Sequence, residues 1–169
     1  EDERFLYFKA MLLRFGAEQI ICVSRFLRAN LVKRLNLPSS KVGIIYNGID
    51  QDIFRKYTPS LTRSEIGADE SSFLIGAVGH IRTWKGYDTL LQACSRIDAN
   101  QCPFQLVLIG GDNPKGQMAL RNLSLQLGLE ERVKFLGVRD DVHDLINLLD
   151  LYVLPSHSEG LGLVSIESM

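Results

Sequence analysis

Three cysteines in 169 residues, a net charge of −1 and the lack of any long apolar run set the first limits on this protein. Cys22, Cys94 and Cys102 form no C-x-x-C pair and cannot all pair within one chain. A disulfide framework and a cysteine-rich metal site are therefore not expected, and all three read as small buried hydrophobes of a reduced protein. So even a charge balance gives no bulk attraction to nucleic acid or to acidic lipid. No apolar stretch reaches the roughly 18 residues of a membrane span, and no basic-then-apolar leader opens the chain. A cytoplasmic protein is the expectation. What remains, 46% hydrophobic and 23% charged, is the composition of one sizeable globular domain, or of one domain and part of another. The chain begins at Glu1 rather than methionine and stops at Met169 within an apparent helix, so it reads as a piece of a longer protein.

Two nucleotide-binding fingerprints are also missing. Gly111 and Gly116 have Walker-like spacing, but Gln117-Met118 stand where Lys and Ser/Thr are required, and no G-x-G-x-x-G follows an early strand. These glycines read as tight strand-to-helix turns, and a dehydrogenase-type dinucleotide domain is opposed.

The hydrophobic pattern itself is regular. Residues 3–15 place Phe5, Phe8, Leu12 and Phe15 on one helical face, closed by Gly16. Gln19 to Val23 reads as a short buried strand, and Ser24 as the N-cap of a helix repeating Leu27, Leu31 and Leu35 and ending before Pro38. Lys41 to Tyr46 is a second short strand. The polar stretch 46–70, with one helical candidate at Thr62 to Ile66, reads as a linker between domains. Beyond it, apolar strands at Phe73–Val78, Phe104–Ile109, Val133–Leu136 and Leu151–Leu154 alternate with amphipathic helices. Those helices carry Tyr87, Leu90, Leu91, Cys94 and Ile97, then Leu120, Leu123 and Leu127, then Val142, Leu145, Ile146 and Leu149. Such alternation predicts an α/β fold with a Rossmann-like parallel sheet covered by helices on both faces, all strand C-termini on one edge, where ligands of open α/β sheets bind.

That edge has a consistent chemistry. The first strand runs into Gly79-His80-Ile81-Arg82-Thr83-Trp84-Lys85-Gly86, with cations and no acidic residue from Phe73 to Tyr87, which suits a phosphate or diphosphate. The third ends in Leu136-Gly137-Val138, a small turn that a flat base could approach. The last leads into Pro155-Ser156-His157-Ser158-Glu159-Gly160-Leu161-Gly162, then a helix start carrying Glu167. Unpaired N–H groups and the positive helix end favour anions there. Two carboxylates bracketing the turn could accept hydrogen bonds from sugar hydroxyls, although dipole stabilisation for Glu159 and solvation for Glu167 explain either residue in isolation.

Glu159 and Glu167, inside P-S-H-S-E-G-L-G-L-V-S-I-E-S-M, resemble the E-x7-E signature of retaining glycosyltransferases of family 4, also called group 1, with the GT-B fold. The similarity extends, in order, through Val23-Ser24, Asn47 to Asp50, the Gly79 to Gly86 turn, the L-V-L-I-G strand and Val133 to Gly137. The resemblance implies that residues 1–45 are the tail of an acceptor domain, 46–70 an interdomain linker and 71–169 a truncated nucleotide-sugar-binding domain. It implies that Lys85 neutralises the leaving diphosphate, Glu159 faces the donor sugar, Glu167 binds the ribose, and Gly160, Leu161 and Gly162 offer N–H groups. Gly79, Leu136, Gly137 and Val138 complete the donor site. The family's arginine after the glycine is His80 here, so either His80, as a weaker and pH-dependent cation, or Arg82 takes its place, and Arg82 is preferred. The co-substrate implied is a nucleotide diphosphate-sugar, with no cofactor and no metal. The acceptor implied is a glycan, a lipid-linked group or a small molecule, with membrane contact only through an N-terminal domain. A non-catalytic nucleotide-sugar binder and a paired-carboxylate glycoside hydrolase are the other readings.

Overall fold

The computed structural model describes residues 8, 10–54, 58–98, 100–111 and 113–169. The chain divides into two compact units, Glu1–Gly48 and Ile49–Met169.

Of the helix expected over residues 3–15, residues 1–7 and 9, Phe5 among them, lie outside the described residues. Its remainder ends in a π turn, Leu12–Gly16. Phe8, Leu12 and Phe15 are exposed, whereas Ala10 and Leu13 pack on the first unit's core of Cys22, Leu35, Leu37 and Val42. The apolar stripe exists, but the neighbouring face meets the core. Strand β1 (Ile20–Cys22) pairs in parallel with β2 (Val42–Ile44) through helix α1 (Arg25–Leu35). Ser24 Oγ accepts the Leu27 N–H at 3.1 Å, as expected of an N-cap, and Asn36 closes the helix in the left-handed conformation. β2 is shorter than Lys41–Tyr46: Lys41 belongs to a 3-10 turn, Ser39–Lys41, and Ile45 and Tyr46 lie exposed beyond the last paired residue, Ile44. Arg28 fastens this turn to the helix, donating to the carbonyls of Val42 and Ser39 at 2.7 and 2.9 Å.

The polar stretch after Gly48 carries more structure than its composition suggested. Helix α2 (Gln51–Phe54) lies within it, and Thr62 to Ile66 forms a 3-10 turn over Ser64–Ile66. Ile66 and Ala68 are buried in the second unit's core with Leu74, Val107, Ile109 and Leu145. Ser60 donates its N–H and hydroxyl to the buried Asp144 carboxylate at 3.0 and 2.8 Å. Arg63 donates to the carbonyls of Ser72 and Leu148 and pairs with Asp150 at 2.9 Å. Polarity here marks satisfied side-chain hydrogen bonds as well as solvent.

The second unit is built from β3 (Phe73–Val78), α3 (Tyr87–Cys94), β4 (Phe104–Ile109), α4 (Pro114–Gln126), β5 (Val133–Gly137), α5 (Val142–Leu148), β6 (Leu151–Tyr152) and α6 (Leu163–Glu167). The sheet order is β5-β4-β3-β6, all parallel. Alternation along the strands assigns the two faces. Ile75, Ala77, Leu106 and Leu108 pack with Tyr87, Leu90, Leu91 and Leu120, while Leu74, Val107 and Ile109 pack with Leu145. The chain steps outward from β3 to β5 and then returns past β4 and β3, so the order reverses between β3 and β6. Open α/β sheets place their ligands at that reversal, beyond the strand C-termini.

Several expectations need correction. The last strand is two residues rather than Leu151–Leu154; Val153 still donates to Gly76 O at 2.8 Å, and the chain then turns away before Pro155, which has no N–H for the ladder. Helix α3 ends at Cys94, and Ile97 packs from the following turn. Helix α5 ends at Leu148, leaving Leu149 to lie flush over Gly76, where an added Cβ would stand 2.4 Å from it. Cys22 and Cys94 are buried, but Cys102 is exposed in the turn before β4.

Replacing Arg63 by alanine should lower unfolding free energy by about 2 kcal/mol, since it strips partners from two carbonyls and from Asp150. The urea midpoint reads it; an unchanged midpoint would show that the Ser60–Ala68 segment is held by its apolar contacts alone.

Candidate active site

The ends of β3 and β6 are joined backbone to backbone. His157 N–H donates to Trp84 O at 2.8 Å. Gly86 lies against Pro155 so closely that a Cβ would stand 2.2 Å from the Pro155 carbonyl oxygen, and its φ of 65° also favours glycine. Residues 84 and 86 therefore face 157 and 155, which brings Lys85 opposite Ser156. Lys85 Nζ pairs with Glu159 Oε1 at 2.6 Å, and Ser156 Oγ donates to the same oxygen at 2.7 Å. Lys85 and Glu159 side chains are mostly buried, 20% and 26% exposed.

Burial pushes the Glu159 carboxyl up, but hydrogen bonds from Lys85 and Ser156 outweigh it and hold the group below the ordinary glutamate value. Glu167, on α6, is half-buried, and burial raises its carboxyl above that value. Tyr152 is under the influence of both. Its phenol is raised first by burial and further by the charges of both glutamates. Its hydroxyl is buried and finds no partner in hydrogen-bonding geometry, and the Ser165 side chain partly offsets the rise. Tyr87, at the start of α3, donates to Gly79 O at 3.0 Å, and burial followed by the influence of Tyr152 and Glu159 raises its phenol strongly. Lys85, Glu159, Tyr87, Tyr152 and Glu167 thus form one electrostatic neighbourhood.

The other sequence-predicted residues divide. Gly79 belongs to this neighbourhood, since a Cβ on it would approach Lys85 Nζ to 3.6 Å. Gly160, Leu161 and Gly162 form the half-buried turn entering α6, with Gly162 in the left-handed conformation at its N-cap. Leu136 and Gly137 end β5, and Gly137 O accepts the Gly110 N–H; Val138 is 71% exposed beyond them. Gly110 in turn admits the Gly79 carbonyl, 2.4 Å from where a Cβ would stand. The three strand ends meet through backbone, without side chains between them. His80 is exposed, and Arg82 lines a cavity of about 250 Å³ with Ile81, Thr83, Tyr87, Asp88 and Asn113, so that Tyr87 borders both this cavity and the Lys85–Glu159 neighbourhood. Among the described residues no group of three His, Cys, Asp or Glu is arranged to hold a metal, and no helix is long and apolar enough to cross a membrane.

Ser156, Tyr87 and Tyr152 were not anticipated. Ser156 stands three residues before Glu159 in a polar corner and was visible as a side-chain donor, whereas both tyrosines were counted as apolar periodicity.

Residues 60–169 match the family described as Glycosyl transferases group 1, and residues 2–53 match Glycosyltransferase Family 4. The chain belongs to the glycosyl transferases group 1 family. It is 33% identical over 94% of its length to the N-acetyl-alpha-D-glucosaminyl L-malate synthase of Bacillus anthracis, covering 41% of that protein. It is 28% identical over 90% of its length to the D-inositol 3-phosphate glycosyltransferase of Mycobacteroides abscessus, covering 34% of it. The structure of Anabaena Alr3699/HepE in complex with UDP-glucose is 26% identical with a TM-score of 0.87, over 99% of this chain and 46% of that one. WaaG, a glycosyltransferase involved in lipopolysaccharide biosynthesis, is 24% identical with a TM-score of 0.81 and shows the shared fold. The parallel sheet flanked by helices is thus that of GT-B glycosyltransferase structures, and the chain spans less than half the length of these relatives.

The lowered carboxyl fixes the sign of the pH response. The Glu159–Lys85 contribution is present above the unfolded glutamate pKa and is lost as pH falls through Glu159's lowered value. In Lys85→Met the largest opposing influence on burial is gone, so Glu159 should titrate at higher pH than in the wild type. Side-chain carboxyl NMR measures this, and an unmoved titration would remove the ion pair.

Proposed function

We propose that this chain is the donor-binding part of a glycosyltransferase that moves a sugar from a nucleotide diphosphate-sugar to an acceptor with retention of anomeric configuration. The observation that carries the reading is the Lys85–Glu159–Ser156 network at the β3/β6 reversal of a family member. Donor complexes with UDP and UDP-glucose in the Anabaena relative support a nucleotide-sugar.

In this reading the diphosphate lies against Lys85 and the N–H groups of Gly160, Leu161 and Gly162. Negative charge grows on the leaving phosphate as the glycosidic bond breaks, and a fixed ammonium favours that state over the ground state. Glu159 accepts hydrogen bonds from the donor sugar, Glu167 from the ribose, and the Leu136-Gly137-Val138 turn borders the base. For the position after Gly79, either His80 or Arg82 takes the place of the family arginine, and Arg82, which shares a cavity with Tyr87 beside the Lys85–Glu159 pair, is the better substitute. No metal and no further cofactor enter this chemistry. The acceptor, a glycan, a lipid-linked group or a small molecule, is met through the acceptor domain, of which residues 1–45 are the tail. A cytoplasmic location, with any membrane contact made by that domain, completes the proposal. A paired-carboxylate hydrolase is less well supported, since Glu159 is committed to an ammonium rather than facing a second carboxylate across a sugar.

Incubating the full-length protein with UDP-, GDP- and ADP-sugars and a hydroxyl acceptor should release nucleotide and give a product whose anomeric proton coupling by NMR matches the donor's. Binding without turnover would identify a nucleotide-sugar binder, and an inverted product would overturn retention.

Glu167 adds a pH test. Its ionised form accepts from both ribose hydroxyls with charge-assisted strength that the neutral carboxyl lacks, and burial raises its pKa. Nucleoside diphosphate affinity should therefore fall as pH drops through Glu167's raised value, while Glu159 is still ionised. Glu167→Gln should abolish that acidic limb and weaken UDP or GDP binding roughly tenfold by calorimetry. An unaltered acidic limb in this variant would assign the ribose contact elsewhere.

A further inference from the structure

The two turns that meet at β3 and β6 are locked in register by Trp84 O with His157 N and by Gly86 with Pro155 O. Ser156 therefore sits opposite Lys85 for reasons of backbone alone, independent of its own side chain. Its hydroxyl and the Lys85 ammonium both donate to one atom, Glu159 Oε1, at 2.7 and 2.6 Å. Among the described residues, Glu159 Oε2 has no hydrogen bond. A carboxylate has about four lone-pair sites, and two donors on one oxygen restrain the group's rotation and leave the other oxygen's acceptor capacity unused by the described residues.

We infer that Ser156 is a positioning residue for the donor-sugar step. With Lys85 it fastens Glu159 by Oε1, so that Oε2 is presented to the hydroxyls of the transferred sugar. The inference rests on the reading of Glu159 as the sugar-facing glutamate. It explains why one carboxylate can serve two masters. Lys85 keeps an anchored partner while it faces the diphosphate, and the sugar meets an oxygen that has not been spent on the protein. Without the hydroxyl, Glu159 has a single donor on Oε1 and can rotate about its last torsion, a broad one. Recognition of the sugar then weakens, but that of the nucleotide does not.

Ser156→Ala in the full-length protein tests this. Because the backbone lock does not use the hydroxyl, the variant should fold and melt close to the wild type. Calorimetry should give UDP affinity within twofold of wild type and UDP-glucose affinity roughly tenfold weaker, with the GDP and ADP pairs run in parallel. Ser156→Thr, which keeps a hydroxyl, should restore most of the loss. In carboxyl NMR without nucleotide, Glu159 should titrate higher in Ser156→Ala than in wild type, because a donor that lowers its pKa is gone. Equal losses for nucleotide and nucleotide-sugar would mean general damage to the site and overturn the inference, as would no loss for either. Wild-type protein that binds nucleotides but gains nothing from the attached sugar would overturn the sugar-facing role of Glu159. If it binds no nucleotide at all, the donor-site reading itself falls, while the Glu159 titration still reports whether Ser156 and Lys85 share its oxygen.

Discussion

The hydrogen bond from His157 N–H to Trp84 O, with Gly86 pressed on the Pro155 carbonyl beside it, is the constraint on which the site depends. Lys85 and Glu159 are 74 residues apart in sequence. Nothing local brings them together. They meet because α5 carries the chain back across the sheet to set β6 beside β3, and because the two turns beyond those strands then lock as if they were a short extension of the ladder. A side chain at residue 86 would collide with a carbonyl rather than with something that could rotate aside. Its absence is thus a condition for the ammonium and the carboxylate to reach 2.6 Å.

A second set of close approaches shapes the neighbouring strand ends. Gly110 receives the Gly79 carbonyl and donates its N–H to Gly137 O, so three consecutive strand termini are in backbone contact. Gly111 and Gly116 do something different. Both lie where a Cβ would press on Ile81, at 3.1 and 2.8 Å, and Asn113 Nδ2 donates to the Ile81 carbonyl. Ile81 is a peg that fixes the cationic turn onto the start of α4. The Walker-like spacing is therefore a packing socket for a buried isoleucine, consistent with the tight-turn reading and not with a phosphate cradle.

Strands Phe73–Val78 and Phe104–Ile109 were legible to the residue because each is buried on both faces and bounded by turn chemistry. The weaker elements were legible only in outline. β2 and β6 lost residues to a 3-10 turn and to a departure before proline, both of which depend on neighbours the local pattern does not contain. The polar stretch before β3 read as linker because hydrogen-bonded serine, threonine and arginine look the same as solvated ones in a sequence; its Ser60 and Arg63 partners lie 84 and 85 residues away. At the site, residue types and spacing named both glutamates and the lysine, but not that the lysine and one glutamate are partners.

The two glutamates that bracket the turn end up in opposite electrostatic situations, and the difference follows from their neighbours rather than their burial. Both are half-buried, so both pay desolvation. Glu159 is compensated by an ammonium and a hydroxyl on one oxygen and is held as an anion. Glu167 has no hydrogen bond or ion pair among the described residues, and shares with Glu159 only their common effect on the Tyr152 phenol. A pair of carboxyls whose environments push their pKa values apart divides the work between a group that keeps its charge to lower pH and one whose charge depends more on its surroundings. Hydrogen-bond donors arriving at Glu167 would lower its pKa toward that of Glu159, which couples ligand contact at the α6 end of the turn to ionisation there. The same donors would leave Glu159 almost unchanged, because its compensation is already supplied by the chain.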